Sequence, residues 1–296
     1  MKIENLPKIY LPQKESHKGQ NGRLLVVGGS HLFHSASLWS LKVASRIVDL
    51  VHYSSVPENN RIVEKLTEEF RDGIIVPRGE IEGYIEEDDA ILIGPGMVRT
   101  EILKTQSFKD TKTQSIKEIE KIEDEGVQTY FLTKYLLQKY PHKKWVIDAG
   151  ALQMLELEWI PEGAILTPHH MEFEVLKSKI QNPKSKIQNL RESVSWFAKE
   201  YKVVVLLKGE TDIIASSDKY EEVKGGNAGM TKGGTGDVLA GLVAGLAAKN
   251  DPFTAAYASS IINKSAGESL AEKVGYWFNA SDLADEIPLT MKKLFL

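Results

Sequence analysis

The sequence predicts an α/β protein whose largely parallel sheet is covered by helices. Three observations carry that expectation. Short β-branched or aliphatic runs alternate with segments of helical period, the runs are continuously apolar, and glycines recur where several of them end. Continuous apolar runs suit strands buried on both faces, as a sheet between helix layers requires. No Pro/Ser/Gly-rich linker divides the 296 residues, so residues 1–296 are expected to form one domain with a sizeable core.

In chain order, strands are expected at residues 23–27, 47–54, 73–76, 90–93, 144–148, 164–166 and 203–207, followed by a hairpin pair at 212–215 and 220–223. Helices are expected at 37–48, 60–70, 129–140, 172–180, 190–201, 235–248 and 254–274. In the sixth of these, Leu239, Leu242, Val243 and Leu246 recur at helical spacing and mark a core-facing stripe. Gly241 and Gly245 in the same helix each cost about 1 kcal/mol relative to alanine, which close packing against a neighbour would explain. Two stretches read as surface additions. Residues 100–126 are polar and charged, a loop or an exposed helical excursion, and 177–190 carry a tandem heptad, KSKIQNP then KSKIQNL, that fits a tolerated loop insertion, with a basic binding patch as the alternative.

Composition removes several classes of function. Hydrophobic residues make up 42% and charged residues 26%, close to the globular average. The net charge of −4 argues against a nucleic-acid binder. No apolar run approaches the roughly 20 residues of a membrane span, and the N-terminus lacks the apolar core of a signal peptide, so a cytoplasmic protein is expected. There are no cysteines, hence no disulfide, thiolate nucleophile or Cys-based metal site.

The most informative segment is NAGMTKGGTGDVLAG at 227–241. Gly233, Gly234 and Gly236 surround Thr235, and Asp237 follows as a helical pattern begins. Backbone N–H groups in such a turn converge on one concavity, and a helix N-terminus adds positive partial charge. Gly234, Thr235 and Gly236 would therefore hold a phosphate, with Asp237 placed to take a proton from a hydroxyl. Other candidates end strands. Lys208-Gly209 closes VVVLLKGETD, Gly94 and Gly96 follow ILI, Gly28-Gly29 follow LLVV, and Asp148 ends WVID. In ILTPHHMEF, Pro168 holds a turn from which His169 could bond a substrate and Glu172 could organise water around a metal. In open α/β sheets ligands bind at this edge.

Taken in order, HKGQNGRLLVVGGS, the Ser35-Ala36 pair, IGPG, IDAGAL, LTPHHMEF, LLKGETD and NAGMTKGGTGDVLAG resemble the ADP/ATP-dependent NAD(P)H-hydrate dehydratases, from His17 to the ASDLADEIP segment. The resemblance implies a ribokinase-like three-layer α/β/α sandwich. It also implies repair of (6S)-NADHX or NADPHX to NADH or NADPH, with ADP or ATP as co-substrate and Mg²⁺ beside its phosphates. On this chain Asp237 would be the base, and Gly234, Thr235 and Gly236 the anion hole. Lys208, Gly209, Glu210, Thr211, Asp212, Asn227 and Gly236 would face the adenine nucleotide. Ala36, Gly94, Gly96, His169 and Asp237 would contact the hydrated cofactor, and Glu172 would reach the metal only through water. Relatives are often multimeric, so a homo-oligomer is expected.

The chain departs from the family pattern at Ser35, at Val98 after IGPG, and at His170-Met171 where Pro-Gly is common. With about 16 residues before the HKG segment, no N-terminal epimerase domain is expected. Two other readings share the glycine-rich motif. One is a ribokinase-like kinase of a sugar, hydroxymethylpyrimidine or thiazole alcohol; the other is a nucleotide-binding protein without catalysis.

Overall fold

A computed structural model describes residues 6–66, 72–101, 115–180, 187 and 189–296. Nine strands are placed: β1 (Arg23–Val27), β2 (Leu50–Ser54), β3 (Ile74–Ile75), β4 (Ala90–Ile93), β5 (Lys144–Ile147), β6 (Ile165–Leu166), β7 (Val204–Leu207), β8 (Thr211–Ala215) and β9 (Tyr220–Lys224). They form one sheet in the order β3-β2-β1-β4-β5-β6-β7-β8-β9. Every pairing from β3 through β7 is parallel, and the expected hairpin adds β8 and β9 antiparallel at the far edge. The chain leaves β1 toward β3, then returns to place β4 on the other side of β1. That reversal opens a crevice at the carboxyl ends of β1 and β4, where ligands bind in such sheets.

Eleven α-helices are described: α1 (His34–Ala44), α2 (Pro57–Lys65), α3 (Ile81–Glu87), α4 (Ile116–Ile119), α5 (Glu125–Lys139), α6 (Ala149–Met154), α7 (His170–Ser178), α8 (Leu190–Glu200), α9 (Thr235–Ala247), α10 (Pro252–Val274) and α11 (Ala280–Phe295). Alternate residues of each buried strand feed two separate cores. Leu24, Val26, Leu92 and Leu206 pack with α1, α9, α10 and α11, whereas Leu25, Val27, Ile91 and Ile147 pack with α5 to α8. This is the expected three-layer α/β/α sandwich. None of its described helices is long and apolar enough to cross a membrane.

Several boundaries moved for local reasons. The first helix starts at His34 and ends at Ala44, because Ile47 and Val48 turn back onto the Ala44 carbonyl instead of opening the next strand. The second starts at Pro57, where proline suits the first turn, and its expected end lies partly outside the described residues. Asp124 accepts a 2.7 Å bond from the Val127 N–H and so starts α5 four residues before the expected helix. The short helices α3 and α6 and the long α11 were not anticipated. A two-way capping box between Asn279 and Asp282 opens α11, and Pro288 lies within it.

Of the two supposed surface additions, residues 102–114 and most of the tandem heptad lie outside the described residues. The described part of the first includes the short helix α4, the helical alternative, but it is not exposed, since Ile116 and Ile119 are buried in the second core. Close packing does explain Gly241: a Cβ there would lie 2.5 Å from the Ser40 carbonyl oxygen of α1. Ser40 Oγ in turn donates to the Asp237 carbonyl at 2.8 Å, which locks α1 against the start of α9.

Candidate active site

Four chain segments converge at the carboxyl edge of the sheet. β5 ends in Asp148, β6 in Thr167-Pro168-His169 and β7 in Lys208, and the N-terminus of α9 lies over them. The Lys208 ammonium contacts Asp148 Oδ1 at 2.9 Å, and Thr167 Oγ1 donates to the same oxygen at 2.7 Å. Lys208 N–H donates to the Pro168 carbonyl at 2.8 Å, joining the two strand ends. Burial pulls the Lys208 ammonium down, but the Asp148, Glu172 and Asp237 carboxylates outweigh it and hold it above its ordinary value. A Cβ at Gly236 would stand 3.6 Å from Nζ, so the cation lies directly beside the first turn of α9.

Thr235, Gly236 and Asp237 occupy that first turn, where N–H groups lie ahead of the helical hydrogen-bond ladder and add to its positive end. Thr235 Oγ1 turns back to the Met230 and Lys232 carbonyls at 2.7 and 2.9 Å, and its N–H meets the Lys232 carbonyl at 3.4 Å, so this residue braces the turn. Burial and the neighbouring Asp148 carboxylate push the Asp237 carboxyl up to about 7, against the pull of Lys208. A carboxyl near neutrality beside a cation and a helix N-terminus is suited to proton transfer.

Gly234 caps the helix at φ +95°, and a Cβ there would lie 2.4 Å from the Trp39 ring. Gly234→Ala should therefore combine left-handed strain with overpacking and destabilise the fold by about 1–3 kcal/mol in denaturant unfolding. Gly233→Ala, whose Cβ would meet nothing within 4 Å, is the control and should stay within about 0.5 kcal/mol of the parent. Equal effects at both positions would refute this account.

Beside Lys208 opens a cleft of about 790 Å³, lined by residues that include Lys208, Gly209, Glu210, Asp212, Asn227 and Gly236. The structure thus gathers nearly all the expected nucleotide-side positions; Thr211 follows at the start of β8 and lines a neighbouring cavity. Two of these side chains act on the protein itself. Asp212 accepts from Gly209 N–H at 2.9 Å and Ser260 Oγ at 2.7 Å. Asn227 accepts from Gly229 N–H at 2.9 Å and donates to the Gly267 carbonyl at 2.7 Å. Sequence reasoning missed Gly225, Asn263 and Lys264 in the same wall. Gly225 had a signal in its Gly-Gly pair; the other two sit in a helix and carried none.

On the opposite side, Ala36 of α1 approaches the loop after β4, where a Cβ at Gly96 would lie 3.1 Å from Ala36 Cβ. Gly94 ends β4 beside the Asp148 carbonyl. His169, an expected substrate contact, lines the cleft with Lys208 and Gly209, not the Ala36 side; it caps α7, its Nδ1 accepting from the Met171 and Glu172 N–H groups at 3.1 and 3.2 Å. A ring nitrogen that accepts is unprotonated, so the proton of the neutral ring sits on Nε2 and can be donated to a ligand. Glu172 returns the cap at 2.9 Å through Oε2, while Oε1 accepts from Gln153 Nε2 at 2.9 Å. At 6% exposed and with both carboxylate oxygens accepting hydrogen bonds, Glu172 is chiefly a structural cap. Among the described residues no group of three or more His, Asp or Glu side chains could hold a metal ion. Of the departures, Ser35 and Met171 are exposed, and His170 stands on the outer side of the Gly209 turn.

Fold and site together define a ribokinase-like α/β protein. Solved structures with this fold include a ribokinase-like superfamily protein from Enterococcus faecalis (TM-score 0.77, 22% identity, 96% of this chain and 92% of that one). They also include an ADP/ATP-dependent NAD(P)H-hydrate dehydratase from Bacillus subtilis, co-crystallised with ATP/Mg²⁺ (TM-score 0.69, 23% identity, 97% and 94%). A family profile described as NAD(P)H-hydrate dehydratase matches residues 24–289, and the chain belongs to that family. The ADP-dependent (S)-NAD(P)H-hydrate dehydratase of Nitrosopumilus maritimus is 33% identical over 303 residues, covering 97% of this chain and 95% of that protein. The bifunctional NAD(P)H-hydrate repair enzyme Nnr of Methanocaldococcus jannaschii is 32% identical over 287 residues, covering 94% of this chain. The chain spans 49% of the length of that bifunctional enzyme.

Proposed function

We propose that this protein dehydrates (6S)-NADHX or NADPHX to NADH or NADPH at the expense of ADP or ATP, releasing phosphate and AMP or ADP. The observation that carries the reading is the placement of Asp237. It stands on the first turn of α9 within charge coupling of Lys208 and Asp148; His169, Lys208 and Gly236 line a cleft that can hold a nucleotide, and the Asp148 backbone packs on Gly94, in the loop where Gly96 meets Ala36. A terminal phosphate directed at Gly234, Thr235 and Gly236 would meet helix N–H groups and the Lys208 ammonium, which stabilise charge during phosphoryl transfer.

Asp237 takes the proton of the C6 hydroxyl as that oxygen attacks the terminal phosphorus, and AMP or ADP leaves. The phosphate then departs from C6 as a proton is lost from C5, which restores the ring double bond. His169 Nε2–H and the backbone around Gly94 and Gly96 hold the hydrated nicotinamide in place. Mg²⁺ would accompany the nucleotide phosphates and neutralise their charge, with Glu172 reaching it only through water.

Incubation with (6S)-NADHX, Mg²⁺ and either nucleotide should regenerate the dihydronicotinamide absorbance only when nucleotide is present. Absence of recovery with both nucleotides and both hydrates would overturn the reading. Stable accumulation of a phosphorylated alcohol would favour the kinase alternative instead.

A further inference from the structure

We propose that Lys264 is a positioning residue that ties the β7–β8 turn to the segment after β9 and so fixes the shape of the nucleotide cleft that both line; the inference rests on the nucleotide reading above. Lys264 lies on α10 and is 5% exposed, an unusual place for an ammonium group. Its Nζ donates to the Gly209 carbonyl at 2.9 Å, the Glu210 carbonyl at 3.0 Å and the Gly225 carbonyl at 3.1 Å. Asp212 Oδ1 stands 3.4 Å away and supplies the counter-charge.

Three carbonyls match the three donors of an ammonium, which is how a buried lysine avoids an unpaired N–H. Two of them belong to the turn between β7 and β8, directly after Lys208, and the third to the Gly225-Gly226 segment after β9. Both segments line the cleft; the β8–β9 ladder aligns them as far as the Thr211–Lys224 pair, and beyond it no backbone hydrogen bond joins Gly209 or Glu210 to Gly225 among the described residues. Past the end of that ladder the Lys264 side chain, from α10, ties them together. Because its donors are taken by carbonyls, Lys264 acts on the nucleotide through the shape of the cleft, and leaves Asp237 and the α9 turn untouched.

The test is calorimetric binding of Mg·ADP and Mg·ATP to the full chain and to Lys264→Met, with steady-state kinetics on both. The variant should bind nucleotide about tenfold or more weakly, as loss of charged hydrogen bonds predicts. Its kcat at saturating nucleotide should stay within about twofold of the parent, because the transition-state groups are unchanged. A merely structural lysine would lower the melting temperature and leave the nucleotide Kd, measured well below melting, unaltered; that result overturns the proposal. If Lys264→Met does not fold, Lys264→Gln decides in the same way, an unchanged Kd again counting against it. Failure of the parent to bind either nucleotide would be a different outcome, overturning the nucleotide reading and this inference with it.

Discussion

Asp237→Asn should lower kcat by about 10²–10⁴ while leaving nucleotide affinity nearly unchanged, as removal of a general base does. The expectation follows from its position on the first turn of α9, its burial and its proximity to Asp148 and Lys208. It also has a definite pH signature. With the Asp237 carboxyl pushed up to about 7, the parent should be poorly active at pH 5 and gain activity as the group ionises through about 7.

Stability should move the opposite way. The folded protein keeps this proton where the unfolded chain, with an ordinary pKa near 4, has lost it. The native state therefore binds more protons between about pH 4 and 7, and its stability falls as pH rises across that window. A carboxamide in place of this carboxyl cannot ionise, so Asp237→Asn should melt above the parent at about pH 8 and converge with it near pH 4. A variant that kept full activity, or a parent whose activity was flat from pH 5 to 8, would refute the assignment.

Lys208→Met should be the most damaging single change to the fold. Asp148 is 2% exposed and Lys208 19%, so the substitution leaves a carboxylate buried beside Thr167 without its counter-ion. Removing one partner of such a pair costs about 3–5 kcal/mol, whereas replacing both by apolar groups is close to neutral. The double variant Lys208→Met/Asp148→Leu should therefore regain most of the stability lost by the single one in chemical denaturation. It should not regain activity, because the cation beside Gly236 is still missing. Recovery of activity in the double variant would show that Lys208 serves only to neutralise Asp148.

Some of this was legible in the chain before any coordinates. The apolar runs ending in Gly28, Gly94, Asp148 and Lys208 are strands β1, β4, β5 and β7, and the glycine-rich turn before Asp237 does begin a helix. Local signals of this kind survive because a strand buried on both faces needs an unbroken apolar run. Helix α6 stayed hidden because six residues hold too little periodicity, and α11 because Pro288 interrupts its pattern. Asp212 and Asn227 lay in motif segments, yet their side chains brace turns, which spacing along the chain does not disclose.

By itself, the sequence determined the α/β class, the strand ends that meet in the candidate site and the helix start at Thr235, because each depends on neighbours a few residues apart. The tertiary structure alone decided what those residues touch. Asp148 meets Lys208 across 60 positions and adds to burial in raising the Asp237 pKa, while Lys264 reaches Gly209 across 55. Burial, charge coupling and the bracing of the cleft lining arise from such distant encounters, because only the fold brings those side chains together.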